Sequence, residues 1–278
     1  MKIPSFSQTQ TVAAATLLFF LISVSLVYFT TTMLDTDLAE LLTKANPVSV
    51  GNIADDIADD IEQSILSRTR TLQDVASMLP VDKINDRAAM SSFLARQKEA
   101  RELFPIGLII IGRDGFGIAD YPHIQDRDTA DFRNRESFKE VISSGMSAIG
   151  KAHVGNHSRI PLVSISVPIR SKKGELLGIL RGAVALTDPD VFDQTYERLG
   201  KPIEYLVVSV KDHMIVAATD SSQLLRPLPA PGIDKLFDRY MSGYDGSGYT
   251  RNLYGREEFI SARHILDGKW IVIGELPK

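Results

Sequence analysis

The sequence contains no cysteine, and this absence removes several classes of protein at once. Among its 278 residues there is no thiol to form a disulfide framework, a thiolate zinc site or a cysteine nucleophile. An excess of basic charge is also lacking, since 31 Lys and Arg stand against 35 Asp and Glu. Scattered, slightly acidic charges give no positive surface for a nucleic-acid backbone. We therefore expect no disulfide scaffold and no nucleic-acid partner.

Clusters typical of metal centres and catalytic sites are also missing. The five histidines are dispersed, and although His153 and His157 are four residues apart, a glycine and an asparagine between them argue against a helix that presents both. The series Asp126, Asp128 and Asp131 lacks the glycine and the closing glutamate of a calcium loop. No H-E-x-x-H or G-x-S-x-G motif occurs. We expect no metal, no cofactor and no catalytic residues.

Charge is absent from one long stretch, between Lys2 and Asp35. Within it, residues 11–33 have the sequence TVAAATLLFFLISVSLVYFTTTM, long enough for the roughly 20 helical residues that cross a bilayer. A cleaved signal peptide is the alternative, but its apolar region would be about 7–15 residues long and an A-x-A site would follow. We predict a single-pass anchor. Because the basic charge is on the short side, residues 1–10 are expected in the cytoplasm and the bulk of the chain outside it.

A helix rich in isoleucine is predicted after the membrane segment. Asn46-Pro47 interrupts the helical pattern, because proline disfavours helix at the residue before it. Beyond it, Ile53, Ile57, Ile61 and Ile65 recur every four residues, and aspartates occupy the other side. We assign residues 34–80 to a stalk whose isoleucine side needs a partner surface.

Two segments after the stalk share a plan of hairpin, helix and further antiparallel strands. In the first segment the predicted strands and helix fall at 106–111, a run ending at 121, 137–143, 162–169 and 176–186. In the second they fall at 204–210, 214–220, 234–241, 248–253, 259–264 and 270–276. The predicted fold class is α+β, with two antiparallel-sheet modules in tandem. The predicted boundaries are 81–187 for one module, 188–202 for a linker and 203–278 for the other.

The order of these features resembles the double Cache sensor domain of bacterial membrane receptors. The motifs that carry the resemblance are DFRNR at 131–135 with Phe138, PLVSISVPI at 161–169, GELLG at 174–178, LPAPG at 228–232, GYDGSG at 243–248 and GKW at 268–270. The similarity covers about residues 35–277 and is greatest to domains that precede diguanylate cyclase (GGDEF) or PAS output modules. It implies two PAS-like modules outside the bacterial inner membrane, in the periplasm. The membrane-distal module, 81–187, would hold the ligand.

The resemblance also implies partners and an output. Such domains pair as parallel homodimers through the stalk and relay ligand binding across the membrane. We expect a non-enzymatic sensing module of a signal-transduction receptor, with a small organic ligand, the membrane and a second copy as partners. A diguanylate cyclase or kinase output is expected to be absent from this chain. The alternative is a membrane-anchored periplasmic binding or scaffold protein with no signalling output.

Residue by residue, the resemblance places the ligand near Arg135, which matches the ligand-facing arginine, and Phe138, an aromatic residue beside it. In amino-acid-binding members an aspartate pairs with the ligand amine, but Ala183 occupies the matching position here. Ser137 likewise replaces an aromatic residue. A buried ammonium without a charged partner is costly. The resemblance therefore does not imply an amino-acid ligand for this chain.

The basic residues near this segment favour an anion instead. A guanidinium can bind a carboxylate with two parallel hydrogen bonds. We predict a small organic anion as the ligand, bound by Arg135, Phe138, Arg133, Tyr121, Lys151 and Ala183. The alternative is that the basic side chains other than Arg135 balance surface acids, and that the aromatic rings belong to the core.

Overall fold

The computed structural model describes residues 47–192, 204–251 and 257–277. The predicted cytoplasmic N-terminus and membrane segment, residues 1–33, lie outside the described residues, as does most of the predicted linker. Within the described ranges, none of the helices has both the length and the apolar character needed to span a bilayer.

The first described element is the long helix α1, Pro47–Ser77, and its isoleucine side is buried in the chain itself. Ile57, Ile61 and Ile65 are 2%, 1% and 0% exposed. They belong to one hydrophobic core with strand residues of both modules, such as Ile110 and Val207. The chain's own modules therefore supply the partner surface that these isoleucines were predicted to need.

The first module contains an antiparallel sheet flanked by short helices. Helix α2, Arg87–Arg96, is capped at its N-terminus by Asp86, whose carboxylate accepts a hydrogen bond from the backbone N–H of Ala89. The other helices are α3, Lys98–Leu103, and α4, Glu136–Ser144. The strands are β1 Gly107–Gly112, β2 Gly117–Tyr121, β3 Ala148–Ile149, β4 His153–Val154, β5 Pro161–Arg170 and β6 Leu176–Ala185. Their order is β2-β1-β6-β5-β3, with β4 also paired to β5.

The two faces of this sheet meet different partners, because successive side chains of a strand point to opposite faces. On β6, Leu180 and Val184 belong to the core that contains the α1 isoleucines. Ile179 belongs to a second cluster with Phe138 and Val141 of α4. Ile179 and the next alternate residues of β6, Arg181 and Ala183, therefore face α4 and the loop that precedes it.

The second module repeats the plan with a five-stranded antiparallel sheet. After the short helix α5, Pro189–Phe192, the described elements are β7 Glu204–Ser209, β8 Met214–Ala218, α6 Lys235–Met241, β9 Gly246–Arg251, β10 Glu257–Ile265 and β11 Trp270–Pro277. The strand order is β8-β7-β11-β10-β9. The two antiparallel sheets confirm the predicted tandem α+β architecture.

Polar contacts tie the second module to α1 and α4. Arg263 of β10 lies 2.7 Å from Asp59 of α1, so the acidic side of this helix is in part a contact surface. The turn residues Lys211 and Lys269 reach Glu136 and Glu140 of α4 at 2.5 and 3.4 Å. Helix α4 is thus connected both to its own sheet and to the second module.

Candidate functional site

A cavity of about 150 Å³ lies on the α4 side of the first sheet. Its wall is formed by β1 and β6, the loop between β2 and α4, and the segment from β4 to β5. A second cavity of about 190 Å³ shares Arg135, His153 and Arg181 with the first and extends to Lys151 and Ser164. We call the two together the twin cavity.

Strand alternation on β6 places Arg181 and Ala183 at this site. Both residues project from the same face as Ile179. Between them, Gly182 faces the other way, where any Cβ would overlap the ring of Phe104. The glycine thus allows close packing on one side of the strand, while the cavity is formed on the other.

Arg181 is a buried cation without a counter-charge in the part of the chain that the structure describes. The residue is only 8% exposed, and its guanidinium carbon lies 5.5 Å from the centre of the Phe132 ring. Among the described residues its guanidinium has no hydrogen bond or ion pair. Burial, reinforced by the positive charges of Arg135 and Arg127, lowers its pKa to about 10. Arg181 therefore remains charged at neutral pH, although desolvation of this charge is costly.

Arg135 approaches the same space from the N-terminus of α4. Its backbone forms the start of the helix, since its N–H donates to Phe132 O and its carbonyl accepts from Lys139 N. The side chain is half-buried and lines both halves of the twin cavity. No hydrogen bond or ion pair of this guanidinium is found in the part of the chain that the structure describes. Arg135 and Arg181 together place two uncompensated positive charges at the site.

The remaining charges of the first cavity are paired. Nε of Arg127 lies 2.8 Å from Asp120 Oδ2, and its other nitrogens donate to the carbonyls of Ile106 and Pro122. This arginine fastens the loop after β2 to the sheet. Asp131 accepts hydrogen bonds from Arg133, which hold its pKa down at about 2. The carboxylate of Asp131 is therefore already engaged outside the cavity.

Two buried hydroxyls complete the polar wall. Ser158 lines the first cavity and Ser164 the second, and the Oγ atom of each lacks a hydrogen-bond partner among the described residues. Between the cavities, His153 Nδ1 lies 2.9 Å from the carbonyl of Lys151. Burial is the main cause that lowers the pKa of His153, and the charges of Arg135 and Arg181 act in the same direction. His153 is thus neutral at pH 7, and Nδ1 carries the proton donated to Lys151.

The structure brings three of the predicted ligand-binding residues to the twin cavity. Arg135 and Ala183 line the first half, and Arg135 and Lys151 line the second. Lys151 is half-exposed, with Nζ 3.9 Å from Asp212 of the second module.

The other three predicted residues lie outside the walls of both cavities. Arg133 is exposed, binds Asp131 and stacks on Phe116. Phe138 is buried in the cluster between α4 and the sheet. Tyr121 is half-buried, and its hydroxyl accepts a hydrogen bond from Arg101 at 3.2 Å.

Four residues that line the twin cavity were not predicted as site residues from the sequence: Arg181, His153, Ser158 and Ser164. A usable signal existed for Arg181, because it precedes Ala183 by two residues in a predicted strand and so projects to the same face. Ser164 is the direct cross-strand neighbour of Ala183, and that pairing depends on the register of β5 and β6.

Three side chains near the site are of the types that bind metal ions, but the charges of both carboxylates are already paired with arginines. Ligand atoms of Asp120, His123 and Asp128 lie within 4.8 Å of one another. Asp120 is paired with Arg127, and Asp128 with Arg87 at 2.6 Å. Two guanidinium groups therefore neutralise both carboxylates, which makes this cluster a support for the loop rather than a cation site.

The solved structures to which this chain is similar include ligand-binding domains of chemoreceptors. The ligand-binding domain of the Pseudomonas aeruginosa PAO1 amino acid chemoreceptor PctC, in complex with GABA, matches with a TM-score of 0.63, 20% identity and coverage of 82% of this chain and 98% of that chain. The ligand-binding domain of the Pseudomonas fluorescens chemoreceptor CtaA, in complex with L-alanine, matches with a TM-score of 0.62, 17% identity and coverage of 84% and 97%. An extracellular ligand binding receptor from Desulfohalobium retbaense matches with a TM-score of 0.63, 11% identity and coverage of 81% and 39%.

Family membership follows from the sequence itself. No curated protein sequence matches the chain. The family model described as Cache domain, of the double Cache type, matches residues 39–278, which include α1 and both modules. The chain therefore belongs to the Cache domain family.

Proposed function

We propose that this chain is the extracytoplasmic sensing module of a membrane-anchored receptor, and that its first module binds a small organic anion in the twin cavity. One observation carries the proposal. Arg135 and Arg181 face one space, and within the described residues neither has a counter-charge.

A ligand carboxylate supplies what this site lacks. Removing a cation from water costs several kcal/mol unless it is paired, by order of magnitude. A guanidinium fork binds a carboxylate through two parallel hydrogen bonds, and hydrogen bonds to charged groups contribute roughly 1.5–3 kcal/mol each. The unpartnered hydroxyls of Ser158 and Ser164 are further donors for ligand oxygens.

An ammonium group has no corresponding partner. The related domains of PctC and CtaA were solved with GABA and L-alanine, which carry both an ammonium and a carboxylate. In this chain Ala183 offers only a methyl group to the first cavity, and Asp131 is engaged by Arg133. We therefore propose a carboxylate ligand without an amine.

The proposal includes a route for the signal. Arg135 immediately precedes α4, and Glu136 and Glu140 of this helix contact Lys211 and Lys269 of the second module. A ligand that shifts α4 would move these turns and the core shared with α1, and the stalk would relay the shift to the predicted anchor at 11–33. Pairing of two chains along the stalk remains part of the proposal, through surfaces other than the buried isoleucines.

The test is a thermal-shift screen of the full chain in detergent against organic acids, amino acids and amines. We expect organic acids without an amine to raise the unfolding temperature, because they bind the folded state only. Large shifts from amino acids or amines, with none from carboxylates, would overturn the proposed ligand class.

A further inference from the structure

The two halves of the twin cavity share a wall that carries a pair of like charges. Arg135, His153 and Arg181 line both halves. His153 is neutral at pH 7, so the shared wall carries the charges of the two arginines. A ligand that occupies both halves therefore passes both guanidinium groups.

The number of unpaired charges in the cavity walls indicates how many negative charges the ligand carries. Three lining residues have partners elsewhere, since Arg127 binds Asp120, Asp131 binds Arg133 and Glu136 binds Lys211. Lys151 is half-exposed and lies near Asp212, so its charge is solvated. Arg135 and Arg181 remain. A ligand with a single negative charge would leave one of them uncompensated in a poorly solvated site.

Each half of the cavity also has its own free donor. Ser158 Oγ is in one half and Ser164 Oγ in the other, both buried and without a partner among the described residues. A buried donor without an acceptor is costly, and a ligand oxygen removes that cost. Two separate donors call for acceptor oxygens at two ends of one ligand.

We infer that the twin cavity binds a dianion, a short dicarboxylate with one carboxylate in each half and the two arginines between them. This inference rests on the proposed anion-binding function and adds the number of charges. One carboxylate accepts from Ser158 and the other from Ser164, and each is within the field of both guanidinium groups. A ligand with an amine in place of the second carboxylate would meet two positive charges and no free acid.

Calorimetric titration of the full chain in detergent tests the number of charges. The probes are malonate, succinate and glutarate, each compared with its own monoamide, which has nearly the same shape and one negative charge less. We expect the best diacid to bind at least tenfold more tightly than its monoamide. Equal affinities would overturn the dianion and leave a singly charged anion as the ligand. Binding of 4-aminobutyrate with no binding of any acid would overturn the proposed function as well.

Variants of the two arginines test whether their charges cause the preference for a diacid. Arg181→Gln and Arg135→Gln should each reduce the preference for the diacid over its monoamide to less than threefold. Arg113→Gln, an exposed arginine in the turn after β1, should leave the preference unchanged. An unchanged preference in both cavity variants, or failure of all three diacids to bind the parent protein at millimolar concentration, would overturn the inference.

Discussion

Arg135 and Arg181 line the same cavity from two different elements, and neither guanidinium has an ion-pair partner in the described part of the chain. One comes from the N-terminus of α4 and the other from the middle of β6. Natural proteins rarely bury an unpaired charge, because its desolvation is not repaid. The arrangement is explained if a ligand supplies the missing negative charge.

The buried charge of Arg181 should lower the stability of the protein without ligand. Arg181→Gln should raise the free energy of unfolding by roughly 1–3 kcal/mol, because it removes an uncompensated cation that Arg135 repels. Thermal unfolding without ligand measures the change. Arg127→Gln is the control with the opposite sign, since it removes the guanidinium partner of the buried Asp120. A lower unfolding temperature for Arg181→Gln would show that this charge is already compensated.

Ligand affinity should depend on pH through His153. Its pKa lies below the ordinary value of 6.5, and an anion beside the ring would raise it. Binding is then accompanied by proton uptake at His153. The affinity for a carboxylate should therefore increase as pH falls from 7.5 towards 6. A simple monoacid is the suitable probe, because its carboxylate stays ionised over this range. His153→Gln should remove this dependence. Titrations in two buffers of different ionisation heat would measure the proton uptake, and an absence of uptake would contradict the placement of the anion.

We expect a separate effect of pH on stability from Glu275 of β11. Burial and the neighbouring Glu258 and Glu204 raise its pKa to about 8 in the folded state, against an ordinary value of 4.5. Between these values the folded chain holds a proton that the unfolded chain has lost, so stability should decrease as pH rises through this window. Glu275→Gln should remove the decrease and stabilise the protein at pH 9 by roughly 1–4 kcal/mol. Urea unfolding at pH 5, 7 and 9 would measure it, and parallel curves for parent and variant would contradict the prediction.

The lysines that contact α4 should affect coupling more than stability. Exposed ion pairs contribute about 0–1 kcal/mol, so Lys211→Gln combined with Lys269→Gln should change the unfolding temperature little. Ligand should slow amide hydrogen exchange in β7 and β8 of the parent, and this protection should be weaker in the double variant at equal ligand occupancy. Identical protection in both proteins would argue against this route.

The sequence predicted the elements well because their signals are local. The end of α4 at Gly145, which has a φ of 70°, depends on neighbours a few residues away. The same holds for the hairpins, whose turns and alternating strands mark them directly. These features need no knowledge of which strands pair across the sheet.

Which residues line the site depends on neighbours that are distant in the sequence. Only some of these residues could therefore be predicted. Arg133 has the same residue type as Arg135, yet it bonds to Asp131 at the surface while Arg135 lines the cavity. Ser164 joins the site through its register with β6. The isoleucines of α1 show the same limit, because an apolar stripe indicates burial but not whether the chain itself or a second copy covers it.

The most direct test of the anion-binding account is the affinity of one organic carboxylate for the parent protein and for Arg135→Ala, measured by calorimetric titration. Loss of charge-assisted hydrogen bonds should weaken binding at least about tenfold, since each 1.4 kcal/mol is a factor of ten. The unfolding temperature of the empty protein should not fall, because the Arg135 side chain has no partner among the described residues and its charge repels Arg181. Equal affinities for the parent and the variant would contradict the account.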